Sequence, residues 1–158
     1  MKIDITNLQD IVHLNRPALR KAAKAALKDF LGCYSIVLMD DEQMRDVNHK
    51  YLGRDETTDV IAFPFRDAPL SRDDCAGEII VSAERAAAEA AHRKIDVESE
   101  LALYVVHGAL HLAGFDDTTP EQASLMHQRE KELLRALGYD AERLWKPLKT
   151  KPRQAPGS

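Results

Sequence analysis

Cysteine is scarce in this 158-residue chain: Cys33 and Cys75 are the only two, far apart in sequence and outside any CxxC pair. That excludes a disulfide framework and a thiolate zinc site. Long apolar runs are lacking too. The longest uncharged apolar-rich stretch, Leu101 to Phe115, is broken by two histidines and two glycines and falls short of the roughly 18 residues a membrane span needs. The opening residues, Met1-Lys2-Ile3-Asp4-Ile5-Thr6-Asn7, hold no apolar block of the kind a secretory signal carries. A cytoplasmic protein with no membrane partner is the expectation. No P-loop, GxGxxG fingerprint or GxSxG elbow occurs, so nucleotide hydrolysis, a dinucleotide cofactor and serine esterase chemistry lack support.

What is present suffices for one ordinary domain. Hydrophobic residues make up 44% of the chain and charged residues 30%, enough to fill a core and keep its surface wet. The net charge of −4 is unevenly spread. Residues 146–158 contain Lys146, Lys149, Lys151 and Arg153 with no acid. That stretch is +4 and the remainder therefore about −8. Pro147, Pro152 and Pro156 make it a poor former of helix or strand. The expected organisation is one domain over residues 1–145 followed by a basic, disordered tail over 146–158.

Periodicity outlines the elements. Ile3 and Ile5 alternate with polar neighbours in a first strand. Asn15 then caps a helix with Pro17 in its first turn. Its apolar stripe reads Leu19, Ala23, Ala26, Leu27 and Phe30, with Gly32 as the stop. Tyr34 to Met39 predicts a central strand. Asp40 and Gln43 form a capping box, opening a helix with Met44, Val47 and Tyr51 on one face. Val60 to Phe63 is a third strand, which Pro64 confines to an edge, and Glu78 to Val81 a fourth. Helices follow over Ala83 to Lys94, from Asp96 to about Ala113 with Gly114 as its stop, and from Thr119 to near Gly138. Thr119 and Gln122 suggest a second capping box. The fold class expected is α+β: a small four-stranded mixed sheet covered by about five helices.

Chemistry concentrates in His107-Gly108-Ala109-Leu110-His111-Leu112-Ala113-Gly114-Phe115-Asp116-Asp117. Four residues apart on a helix, His107 and His111 share a face and can offer two imidazoles to one ion. Gly114 lets the chain double back, and Asp117 can close a third corner. Two nitrogens and one carboxylate oxygen leave a fourth tetrahedral position open, the pattern of catalytic rather than structural zinc. Burying two imidazoles one turn apart is unfavourable without partners, and one metal ion supplies the compensation directly. The spacing is also that of metzincin proteases. Where those enzymes carry their glutamate base, this chain has Gly108, which offers no proton acceptor.

The same motif resembles the signature of the YbeY family of endoribonucleases. Further blocks carry the resemblance: Met44-Arg45-Asp46-Val47-Asn48 through Tyr51, Thr58 to Pro64, and Gly77 to Ser82 followed by Glu84-Arg85-Ala86. Together they span most of residues 40 to 135 in order. The resemblance implies a zinc-dependent, single-strand-specific endoribonuclease. Its substrate would be ribosomal RNA, with roles in maturing the small-subunit 3′ end and in ribosome quality control, and its partner the small ribosomal subunit. Two positions depart from the family pattern. Asp117 stands where a third histidine ligand is usual, which leaves manganese or iron as alternatives to zinc. Leu52 stands where an arginine is thought to meet substrate, so Arg54 or Lys50 is expected to contact phosphate instead.

Two other readings remain open at this stage: a metallopeptidase of metzincin-like spacing, and a non-catalytic RNA-binding or ribosome-assembly factor with a structural metal. Asp116 is expected to orient a neighbour or meet solvent, an exchange of roles with Asp117 being the alternative. His127 is expected to be a surface residue or a support for the metal helix, a substitute ligand being the alternative. His13, His49 and His92 should be exposed. Arg16, Arg20, Lys21, Lys24 and Lys28 give the first helix a basic face, solvated or in contact with RNA backbone.

Overall fold

The structure, a computed structural model, describes residues 1–53, 59–64 and 75–144. Arg54 and the basic stretch 146–158 lie outside the described residues. Four strands form one sheet: β1 (Lys2–Asn7), β2 (Cys33–Met39), β3 (Val60–Pro64) and β4 (Cys75–Ser82), in the order β1-β2-β4-β3. The first three in that order run parallel, and β3 lies antiparallel to β4 at the edge, where Pro64 had confined it. Cys33 and Cys75, distant in sequence, are register partners on neighbouring strands.

Among the described residues six α-helices accompany the sheet: α1 (Arg16–Ala26), α2 (Asp41–Val47), α3 (Ala83–Arg93), α4 (Val97–Leu112), α5 (Pro120–Ala136) and the short α6 (Ala141–Leu144). The last is one more than the sequence suggested. Local chemistry starts them. Asn15, Asp40, Ser82, Asp96 and Thr119 each accept a backbone N–H with their side chain at a helix N-terminus, relieving donors the helix leaves unpaired. The capping box of Asp40 and Gln43 is complete. At Thr119 only half of one forms, because the Gln122 Oε1 accepts from the Thr118 hydroxyl at 2.7 Å.

Two expectations at α1 are corrected. The helix ends at Ala26 with Leu27 as its cap, so Phe30 falls past the stripe and is exposed. Gly32, at φ +109°, turns the chain into β2 rather than stopping the helix. After α2, the residues Asn48–Leu52 coil as a π-helical turn, which carries Tyr51 only to a half-buried position on the face of Met44 and Val47.

Helix α4 is buried all round from Glu100 to Leu110, which explains its apolar run. It packs on the sheet, α1, α3 and α5. Its fit to the sheet depends on Gly108, where a Cβ would lie 2.7 Å from Ile79 Cγ2 and 3.1 Å from Val60 Cγ2. A smaller cluster of Val37, Met39, Met44, Val47, Ile61, Phe63 and Ile80 packs separately from this core, with Tyr51 and Leu52 against it. No helix among the described residues is long and apolar enough to cross a membrane.

Candidate metal centre

The carboxyl end of α4 builds the site. Past its Ala113 cap the chain turns at Gly114, whose φ of +104° favours glycine,. Gly114 N–H donates to His111 O, and Phe115 N–H reaches back to Leu110 O, a helix ending that satisfies otherwise unpaired carbonyls. Asp116 then accepts the Asp117 N–H through its Oδ1 at 2.8 Å, the orienting role expected of it. This reversal brings Asp117 over the two histidines.

Asp117 Oδ2 lies 3.9 Å from His107 Nε2 and 3.8 Å from His111 Nε2. These separations are too long for hydrogen bonds and near the roughly 3.3 Å between donors that each sit about 2 Å from a tetrahedral ion. The two rings meet edge to face with centroids 4.8 Å apart. Both tautomers are set from behind. His111 Nδ1 lies 3.1 Å from the Phe115 carbonyl oxygen, which can only accept, so Nδ1 carries the proton. His107 Nδ1 lies 2.5 Å from Glu130 Oε2, and the carboxylate imposes the same choice. Both Nε2 atoms therefore direct lone pairs toward a carboxylate oxygen.

Three electron-rich atoms converging without a proton between them repel one another, and a cation removes the conflict. His107 Nε2 is buried with no hydrogen-bond partner, an arrangement disfavoured unless something else satisfies the atom. The donor set suits zinc or a neighbouring divalent transition ion. Among the described residues this is the one group of three or more such side chains able to hold an ion.

Burial and neighbouring charge shift the groups around this site. Burial, and then the neighbouring His107, push His111 down to about 4, so its imidazole is neutral at pH 7,. Burial raises the Asp117 carboxyl against the opposing pull of His107. Burial would also raise Glu130, but His107 and then His127 outweigh it and hold that carboxyl well below its usual range.

Glu130, which contacts both His107 and His127, is a candidate the sequence reading did not single out. It occupies the buried face of α5 with Met126, Leu133 and Leu134, and an acid on an apolar stripe was the signal available. His127, expected as a surface residue or a support, is a quarter exposed and lies with Nδ1 3.3 Å from Glu130 Oε1. His13, His49 and His92 are exposed, as expected. Lys50 is exposed in the π turn with its Nζ 5.3 Å from the Tyr51 ring centre. Two of the basic residues of α1 reach the first strand. Arg16 donates to Ile5 O and Arg20 to Ile3 O, both at 3.2 Å.

Fold and site together define an α+β protein with a mixed four-stranded sheet and a candidate His-His-Asp metal centre at the end of its buried helix. The family model described as Endoribonuclease YbeY matches residues 2–138. Endoribonuclease YbeY of Carboxydothermus hydrogenoformans is 34% identical over 142 residues, covering 87% of this chain and 98% of that protein. The Syntrophus aciditrophicus protein of the same name is 32% identical over 148 residues, covering 88% and 92%. The chain belongs to the YbeY endoribonuclease family. The solution structure of TM1509 from Thermotoga maritima superposes with a TM-score of 0.58 over 94% of this chain and 99% of that one. At 23% identity it is a likeness of fold.

Proposed function

We propose that this chain is a divalent-metal-dependent endoribonuclease of the cytoplasm that cuts single-stranded ribosomal RNA. The proposed task is maturation of the small-subunit 3′ end and ribosome quality control, on or near the small subunit. Zinc is the proposed ion and His107, His111 and Asp117 its ligands. The observation that carries this reading is the convergence of His107, His111 and Asp117, whose donor atoms all lie within 4.8 Å of one another, with Asp117 Oδ2 3.8–3.9 Å from each Nε2; family membership supplies the RNA.

An ion at this position supplies Lewis acidity toward a phosphoryl oxygen and toward water. The protein's own residues supply the rest. Glu130 and the Phe115 carbonyl hold the two Nδ1 protons, so both rings present Nε2 inward. Asp116 fixes the backbone of Asp117, and burial of His107 keeps competing solvent from its ring. Lys50 and Arg54 are the proposed phosphate contacts. The domain is proposed to extend over residues 1–145, with 146–158 as a basic tail.

The test is cleavage of a labelled single-stranded RNA carrying a small-subunit 3′ precursor sequence. Purified protein should cut it, stop cutting after chelation, and recover with added zinc. Its His111→Ala variant should be inactive, and the same sequence in a duplex should survive. Failure of the wild type with zinc, manganese and iron in turn refutes the proposal. A peptidase is disfavoured by Gly108, where an added Cβ would lie 2.7 Å from Ile79 and 3.1 Å from Val60; a glutamate base there would be driven into the sheet.

One observation favours a second reading, an RNA-binding assembly factor with a structural metal. Leu52, where the family resemblance implies arginine, packs against the Val37–Met39–Phe63 cluster. On that reading Asp117→Ala would unfold the protein. On the primary reading it would melt near the wild type and lose cleavage.

A further inference from the structure

Glu130 stands where α5 buries its apolar face, and its side chain is 3% exposed. A carboxylate so placed is strongly unfavourable unless its oxygens are partnered. It divides them between two rings. Oε2 meets His107 Nδ1 at 2.5 Å, and Oε1 meets His127 Nδ1 at 3.3 Å. His127 is a quarter exposed, so Glu130 lies between the solvent side of α5 and the buried interior of α4.

The two ring ligands are secured by different means. His111 leans on the Phe115 carbonyl, part of its own helix ending. His107 leans on a side chain 23 residues away on another helix. Its Nε2 has no hydrogen-bond partner, so that atom does nothing to hold the ring's orientation or tautomer. Both are left to Nδ1 and the packing around it. A carboxylate behind a ligating imidazole also raises the basicity of the donor nitrogen.

We infer that Glu130 is a positioning residue of the metal centre: it fixes His107 with Nδ1 protonated and Nε2 presented toward Asp117, and His127 holds Glu130 in turn. The inference rests on the metal-binding role proposed above for His107, His111 and Asp117. A Glu130 that only ties α5 to α4 would leave the ring tautomer and ion affinity unchanged on removal.

Glu130→Met removes the acceptor while keeping an apolar side chain of similar length among Met126, Leu133 and Leu134. Three measurements decide. Nitrogen NMR of the metal-free protein should show His107 protonated at Nδ1 in the wild type and shifted toward the Nε2–H form in Glu130→Met. Competition against a chromophoric chelator should show zinc held about 10–100-fold more weakly by the variant, and the visible bands of cobalt-loaded protein should change. Glu130→Gln keeps an acceptor oxygen and should recover the tautomer and much of the affinity; His127→Ala should weaken binding by a smaller factor.

Circular dichroism and thermal melting check that each variant folds. If Glu130→Met does not, Glu130→Asp, whose carboxylate is drawn back by one methylene, carries the same test. An unchanged His107 tautomer with unchanged zinc and cobalt behaviour overturns the inference. A wild type that takes up neither ion overturns the metal reading instead, while the NMR of the metal-free protein still decides what Glu130 does to the ring.

Discussion

At position 108 the helix axis can approach the sheet only because no side chain intervenes. Gly108→Ala gains about 1 kcal/mol of helix propensity. It also drives a methyl group to 2.7 Å from a branched carbon of Ile79, and overpacking of this kind costs about 1–3 kcal/mol. The net expectation is a loss of stability, measurable as a lower midpoint in urea. Asp117 invites a different substitution. Exchanging its anionic oxygen for a neutral imidazole leaves the site more positive, which favours ionisation of water there. Cleavage by Asp117→His should therefore rise at lower pH than cleavage by the wild type, and coincident pH–rate profiles would refute the assignment of Asp117 as a ligand.

Among the elements, α3 ends on Lys94, the only non-glycine residue with positive φ among the described residues, at 59°. A left-handed residue with a Cβ carries about 1 kcal/mol of strain that glycine avoids. Lys94→Gly should raise the melting temperature by a few degrees in this size of domain, since the backbone carbonyl of Lys94 keeps its bond from Arg143. Element boundaries were largely legible in the sequence because caps are local. Asp40, Asp96 and Thr119 each find their acceptor or donor within three residues. Phe30 misled because apolar periodicity continued through a turn that the backbone had already left. The π turn escaped notice for a related reason: an inserted residue shifts a helix's register without changing its composition. The histidine pair was legible from spacing within one helix. Glu130 was not, because its partner lies on another helix, and only its place on an apolar stripe marked it.

For the molecule as a whole, the site and the core share α4, so acid should act on both. His111 titrates near 4 when folded and near 6.5 when unfolded. As pH falls, the unfolded chain takes up that proton first, so stability falls between about pH 6.5 and 4. In metal-free protein the loss from this residue is about 3 kcal/mol. Glu130, with its folded value depressed, adds a further loss as pH drops below 4.5,. Chemical denaturation of metal-free wild type and His111→Gln across this range should show the first slope only in the wild type. Bound zinc should raise the melting temperature at neutral pH and sharpen the acid response, because protons compete for its ligands.

The two arginines of α1 bear on a hazard shared by every open sheet. Lys2 and Leu8 turn their N–H groups toward the β2 side, so Ile3 and Ile5 point their carbonyls outward from the first strand. Arg16 and Arg20 plug those carbonyls, denying a foreign strand its first two acceptors and setting charge in its way. Replacing both with alanine should leave the monomer folded yet prone to self-association, visible in light scattering as concentration rises. The guard against fibrous misassembly would then reside in a helix, at the far side of the sheet from the antiparallel strand that closes it.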